Sequence, residues 1–170
     1  LTTADLEKLD VKKIAAEQAV LFLWATGPFL VDGSAQRVAK AWGFEPVTLL
    51  YWHKLGSNGK SHLGGVGYWF RGNCEPILVA KRGRAYRWSD MSYWTAEDHS
   101  ALFEALKGRH SEKPDTLHER IEKSCYPFPR LELFGRRERS GWTVVGNNGD
   151  GGTLTHPEDI TQSVDRLGLL

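Results

Sequence analysis

The sequence predicts an α/β protein, and two features carry that expectation. Short apolar runs with the character of strands recur at 19–25, 47–52, 76–80, 131–135 and 142–146. Stretches with helical spacing or helix-end signals lie before, between and after them, at 3–13, 34–42, 97–106, 115–124 and 158–167. Strands that alternate with helices build a helix-covered sheet. A chain of 170 residues, 41% hydrophobic and 25% charged, has the composition of one soluble domain with a real core.

Each element has its own signal. The helix at 3–13 opens with Thr3 as N-cap and Glu7 a few residues on. Residues 19–25 are continuously apolar, as in a strand covered on both faces, and Gly27-Pro28 breaks the run. The helix at 34–42 stops at Gly43. Strand 47–52 leads into 54–67, which holds five glycines and reads as a mobile loop. Residues 68–73 read as a short turn or helix before strand 76–80. Within 82–110, the least patterned segment, 97–106 is expected to be helical after an aromatic loop. The helix at 115–124 is well marked: Pro114 at its start, Asp115 in the first turn, Leu117 and Ile121 four apart. After the last two strands, 147–155 is rich in glycine and asparagine and reads as flexible. Pro157, Ile160, Val164 and Leu167 mark a short last helix at 158–167. There is no internal repeat.

A net charge of +1 gives no global attraction to nucleic acid, so such a partner needs a local patch. Cys74 and Cys125 form no CxxC motif and read as free thiols in a reducing cytoplasm. There is no signal-peptide pattern at the start of the sequence and no apolar run near the ~20 residues of a membrane span, so no membrane partner is expected. The six histidines show neither HxxxH nor HExxH spacing, which argues against a metal site. No GxSxG elbow occurs. Lys54-Leu55-Gly56-Ser57-Asn58-Gly59-Lys60-Ser61 ends like a phosphate-binding loop, but lysine stands where that motif requires glycine, which excludes a nucleotide triphosphatase of that type.

Four places remain as candidate sites. In an open α/β sheet, ligands bind beyond the carboxyl ends of strands. Leu131-Glu132-Leu133-Phe134-Gly135-Arg136-Arg137 and Gly141-Trp142-Thr143-Val144-Val145-Gly146-Asn147-Asn148 are strands running into polar, glycine-containing turns. Arg136 offers a fork of donors there, and the Asn147 amide both donates and accepts, as a ribose diol requires. Two core strands with ordinary turns would show the same pattern. Lys113 precedes a helix N-terminus, which favours anions such as a carboxylate or phosphate; an exposed loop lysine before a capped helix would look the same. Lys54, Lys60, Arg71, His53 and His62 make a basic area among glycines beside Tyr68 and Trp69. That mix suits a nucleic-acid backbone with a stacking surface, and equally a solvated hairpin tip. Glu75, at a strand start, could accept a hydrogen bond from a substrate amine or simply be solvated.

These pieces, together with Val20-Leu21-Phe22-Leu23-Trp24-Ala25-Thr26-Gly27, Ala41-Trp42-Gly43-Phe44, Gly67-Tyr68-Trp69-Phe70-Arg71 to Glu75, and His110-Ser111-Glu112-Lys113-Pro114-Asp115, come in the order found in one family. Over residues 1–148 the chain resembles the MT-A70 family of S-adenosylmethionine-dependent N(6)-adenine methyltransferases, which includes eukaryotic messenger-RNA enzymes and many phage and bacterial DNA enzymes. The resemblance implies a Rossmann-like methyltransferase fold with a mostly parallel sheet and helices on both faces. It implies a methyltransferase domain at 1–148 and a flexible tail with a short helix at 149–170. S-adenosylmethionine would be the cofactor, with Arg136 and Asn147 at its ribose and adenosine end. Asn148 would serve that end too. Lys113 would approach its carboxylate or the target base. Glu138 stands where the eukaryotic enzyme has histidine. Glu75 would face the target adenine, with Lys54, Lys60, Trp69 and Arg71 binding the substrate.

One departure bears on mechanism. The family's Asp-Pro-Pro-Trp motif is absent from these 170 residues. Its polar groups accept the hydrogens of adenine's amine, whose lone pair is delocalised into the ring. In the family it lies upstream of the segment matching Leu1-Thr2-Thr3, so the catalytic residues and the N-terminal part of the domain are expected before Leu1. The function implied is methyl transfer from S-adenosylmethionine to the exocyclic amine of adenine in DNA, or RNA. A duplex target would need base flipping. The alternative is a non-catalytic nucleic-acid-binding partner of an active paralogue. A homo- or heterodimer is compatible with either.

Overall fold

The computed structural model describes residues 1–64, 69–84, 100–109, 111–125, 128–146 and 162. In chain order the elements are α1 (Thr3–Glu7), α2 (Val11–Ile14), β1 (Ala19–Trp24), α3 (Gly27–Val31), α4 (Ser34–Ala41), β2 (Glu45–Leu55), β3 (Cys74–Arg82), β4 (Leu102–Leu106), α5 (Asp115–Ser124), β5 (Leu131–Gly135) and β6 (Thr143–Gly146). Four strands form a sheet in the order β1-β3-β2-β4, and β5 and β6 pair separately. The α/β class holds. The sheet itself is mixed rather than mostly parallel: β3 pairs antiparallel with both β1 and β2, while β2–β4 and β5–β6 are parallel. Thus β1, β2 and β4 run one way and β3 alone is reversed. β3 follows β2 in the chain, lies next to it in the sheet and runs back along it.

β3 shows why a strand this apolar must be covered on both faces. Ile77 packs with Trp52, Phe103, Leu117 and Ile121, under α5. The next residue, Leu78, and then Ala80 pack with Leu9, Val38, Ala39 and Trp42, under α1, α2 and α4. Successive strand side chains point to opposite faces, so helices lie on both sides of the sheet. α4 ends where Gly43 takes φ +84°, a left-handed position open to glycine. Trp42 donates from Nε1 to the Leu6 carbonyl at 2.7 Å, fixing α1 on α4.

Several boundaries differ from the sequence expectation. The helix expected at 3–13 is two short helices, and Thr2 is the N-cap in place of Thr3, closing a capping box with Asp5 rather than with Glu7. Leu9 and Val11 are both buried. Residues two apart face opposite ways on a helix, so breaking the helix between them lets both reach the core. Strand 47–52 extends to Glu45–Leu55 and carries Lys54 out of the expected loop. The expected helix at 97–106 is replaced over its described part by β4, in which Phe103 is buried between exposed Leu102 and Glu104. Gly27-Pro28 ends the strand run and starts α3, with proline in the first turn. The tail at 149–170, with the expected helix at 158–167, lies outside the described residues apart from Gln162, which is helical. Among the described residues, no helix is long and apolar enough to cross a membrane.

Candidate functional site

Because β3 is reversed, its first residues lie beside the carboxyl ends of β1 and β2. Trp52 is the register partner of Glu75, and Lys54, two residues on, shares the face of Trp52. The Lys54 ammonium lies 2.7 Å from Glu75 Oε1, and Lys113, arriving just before α5, donates to Glu75 Oε2. Beneath them is an aromatic floor. Trp24, the last residue of β1, and Trp52 meet edge to face with centroids 6.0 Å apart. Lys113 Nζ stands 4.9 Å above the Trp24 ring and Lys54 Nζ 5.5 Å above that of Trp52, both within cation–π range. Burial pushes the Glu75 carboxyl up, but the hydrogen bonds and charges of Lys113 and Lys54 outweigh it and hold Glu75 below the usual carboxylate range. The knot carries one net positive charge on a partly desolvated aromatic platform.

A second group gathers where β5 ends beside α5. Phe134 takes φ +67° at an irregularity in the β5–β6 register. The left-handed region is uncommon for a bulky residue. Here the chain leaves its strand sharply, and Arg136 and Glu138 are exposed in the turn that follows. Gly135 and Gly146 are register partners, and a Cβ on Gly146 would overlap the Gly135 backbone. Arg137 and Arg139 both donate to Asp115 in the first turn of α5. Burial raises the Asp115 carboxyl, but the hydrogen bond and charge of Arg139, with the charge of Arg137, lower it further, and the net direction is down. Behind this turn, His118 Nε2 lies 3.2 Å from Glu132 and its ring meets Trp142 edge to face, while Trp142 Nε1 donates to Glu122 at 2.7 Å.

The structure therefore brings Glu75, Lys54 and Lys113 together and separates Lys54 from the basic loop to which the sequence assigns it. Lys60, Trp69 and Arg71 are exposed on the 56–73 return. His53 is held between Glu104 at 2.8 Å and Ser61 at 2.9 Å, and His62 lies 3.2 Å from Lys107 Nζ. Tyr68, Asn147 and Asn148 lie outside the described residues. Sequence reasoning missed Trp24, Trp52, Arg137 and Arg139 as parts of the site, and read Asp115 only as a helix-start residue. A tryptophan closing an apolar run reads as core, so only a folded sheet shows two of them converging. Among the described residues no group of three or more His, Cys, Asp or Glu could hold a metal ion.

Polar groups gather at the strand ends of this α/β sheet, the place where open sheets of the class hold ligands. The MT-A70 family pattern matches residues 1–148, and the chain belongs to that family. It is similar to the type II methyltransferase M.MunI of Mycoplasma sp, at 30% identity over 147 residues, covering 86% of this chain and 57% of that protein. It is 27% identical to the human N(6)-adenosine-methyltransferase catalytic subunit METTL3, over 98% of this chain and 28% of that subunit. It is 30% identical to the non-catalytic subunit METTL14 of Xenopus tropicalis, over 85% of this chain and 33% of that subunit. These relatives are methyltransferases or subunits of them, and the chain spans less than two thirds of the length of each.

Proposed function

We propose that the chain forms the cofactor- and base-holding part of an adenine methyltransferase that uses S-adenosylmethionine and acts on DNA. The observation that carries this reading is the Lys54–Glu75–Lys113 knot on its tryptophan floor, at the strand ends, with the Arg136 turn at the end of β5. The donor set suits the cofactor. Lys113 offers an ammonium to its carboxylate, and Arg136 an exposed fork to its ribose end. When bound, S-adenosylmethionine supplies an electrophilic methyl group on a sulfonium.

The chain's own residues bind and orient. Both oxygens of Glu75 are engaged by ammonium groups. An adenine amine reaches Glu75 by replacing Lys113, which is then released toward the cofactor carboxylate. Lys54 stays in place and keeps Glu75 ionised. Trp24 and Trp52 limit water beneath the reacting groups, which strengthens these contacts. Lys60 and Arg71 reach the phosphates from the exposed return loop, beside Trp69 as a stacking surface. DNA is favoured over RNA by the likeness to a type II methyltransferase, in keeping with the resemblance to the phage and bacterial DNA members of the family.

The test is calorimetric titration of the intact protein with S-adenosylmethionine, beside methyl incorporation into adenine-containing and cytosine-containing oligonucleotides. Arg136→Ala is expected to weaken binding by ~1.5–3 kcal/mol, the range for a hydrogen bond to a charged group, with an unchanged melting temperature. Unchanged affinity would remove Arg136 from the site. A second reading, a non-catalytic nucleic-acid-binding subunit, is favoured by the comparable match to METTL14. Oligonucleotide binding with no cofactor heat at all would select it.

A further inference from the structure

Asp115 stands between the two halves of the proposed site. It lies two residues after Lys113, whose ammonium sits on Glu75. It also accepts from Arg137 and Arg139, which flank the turn one and three residues after Arg136. That turn is anchored at both ends. At its start, left-handed Phe134 and the Gly135–Gly146 contact fix where the chain leaves β5. Beyond Arg136, Arg137 within the turn and Arg139 at its far end tie it to Asp115. Arg136 lies between these anchors and is exposed. Pro114, with φ −71°, links Lys113 rigidly to Asp115.

We infer that Asp115 is a positioning residue: by binding Arg137 and Arg139 it holds the 136–139 turn against the start of α5, so that Arg136 and Lys113 present their donors to the ribose and the carboxylate of one ligand. This rests on the proposal that Arg136 grips the cofactor. Two arginines on one carboxylate are more than a helix start requires. A lone Asp in the first turn already suits the helix dipole. The second arginine ties a second point of the turn to α5, beside the Trp142 backbone N–H that donates to the Arg139 carbonyl at 3.1 Å. The low-lying Asp115 carboxyl accords with a charge held by both partners.

A double-mutant cycle in the intact protein tests this. S-adenosylmethionine is titrated calorimetrically into the wild type, Asp115→Asn, Arg136→Ala and the double variant, and each is melted without ligand. Asp115→Asn is expected to weaken binding about tenfold, within the span of couplings in one ion-pair network. In the Arg136→Ala background it should weaken binding no further, and Asp115→Glu should restore part of the affinity. A penalty that persists in the Arg136→Ala background, or no penalty at all, overturns the inference while leaving Arg136 in the site. No effect from Arg136→Ala itself overturns the parent reading and this one with it. Should Asp115→Asn melt below the assay temperature, Arg137→Gln removes one tie from the exposed side of the turn, and the same cycle with Arg136→Ala decides.

Discussion

Glu75 shows most directly how a residue's surroundings set its chemistry. Its carboxylate is half-buried, a cost offset by two ammonium groups that are themselves partly desolvated. Removing one partner of such a group is worse than removing all of them, because the remaining charges lose their counter-ion. Glu75→Gln is therefore expected to destabilise the protein by about 1–3 kcal/mol at neutral pH. The folded value of Glu75 is depressed, so its contribution is complete above the unfolded value of about 4.3. It is lost as pH falls below that through the folded value. Urea unfolding at a series of pH values should show the wild type and Glu75→Gln converging under acid; a constant gap would show that the carboxylate charge is not the cause. Glu75 and Lys113 were visible as candidates in the sequence because both sit in family motifs. Asp115's role was not, since its partners are 22 and 24 residues away.

At the scale of elements, the clearest signals came from strong periodicity with an end marker. α5 has the predicted limits because Leu117 and Ile121 share one face and Pro114 marks the start. β4 misled because Leu102, Phe103 and Leu106 fit a helical spacing as well as a short strand, and only pairing with β2 selects the strand. The 3–13 stretch split for a tertiary reason, the burial of both Leu9 and Val11, which local propensity does not contain. The β5–β6 pair depends on two glycines that the sequence marks only as turn residues. A methyl group at Gly146 would meet backbone atoms of Gly135 and Phe134 rather than a flexible side chain. Gly146→Ala should therefore cost on the order of 1–3 kcal/mol or more, as overpacking does. Chemical denaturation measures this; a neutral result would mean that β5 and β6 can part without loss.

For the whole molecule, a net charge of +1 makes the local arrangement of cations decisive. The structure divides the basic residues near the return loop into two sets. Lys54 is committed to Glu75, whereas Lys60 and Arg71 are exposed. Neutralising Lys60 and Arg71 together should lower the slope of log affinity against log salt by about 1.8 on duplex DNA, about 0.9 for each phosphate no longer neutralised. Lys54→Gln should leave that slope unchanged while disturbing Glu75. Fluorescence titrations at several salt concentrations separate these outcomes; an unaltered slope in the double variant would remove the loop from the DNA interface.

The single reversed strand also sets an order of events in folding. β2 and β3 are neighbours in sequence and in the sheet, so their ladder closes one loop, whereas β1 must wait for β3, and β4 pairs with β2 from a greater distance along the chain. Contacts between near neighbours cost less chain entropy and form sooner. β2 and β3 should pair first, and β3 should be the last strand to lose its protection, since it is paired on both sides with Ile77 and Ala80 fully buried. In native-state hydrogen exchange, the amides of residues 77–80 should open only with global unfolding, while β4, paired on one side among the described strands, exchanges through smaller openings. Faster exchange in β3 than in β4 would place the kinetic heart of the molecule elsewhere.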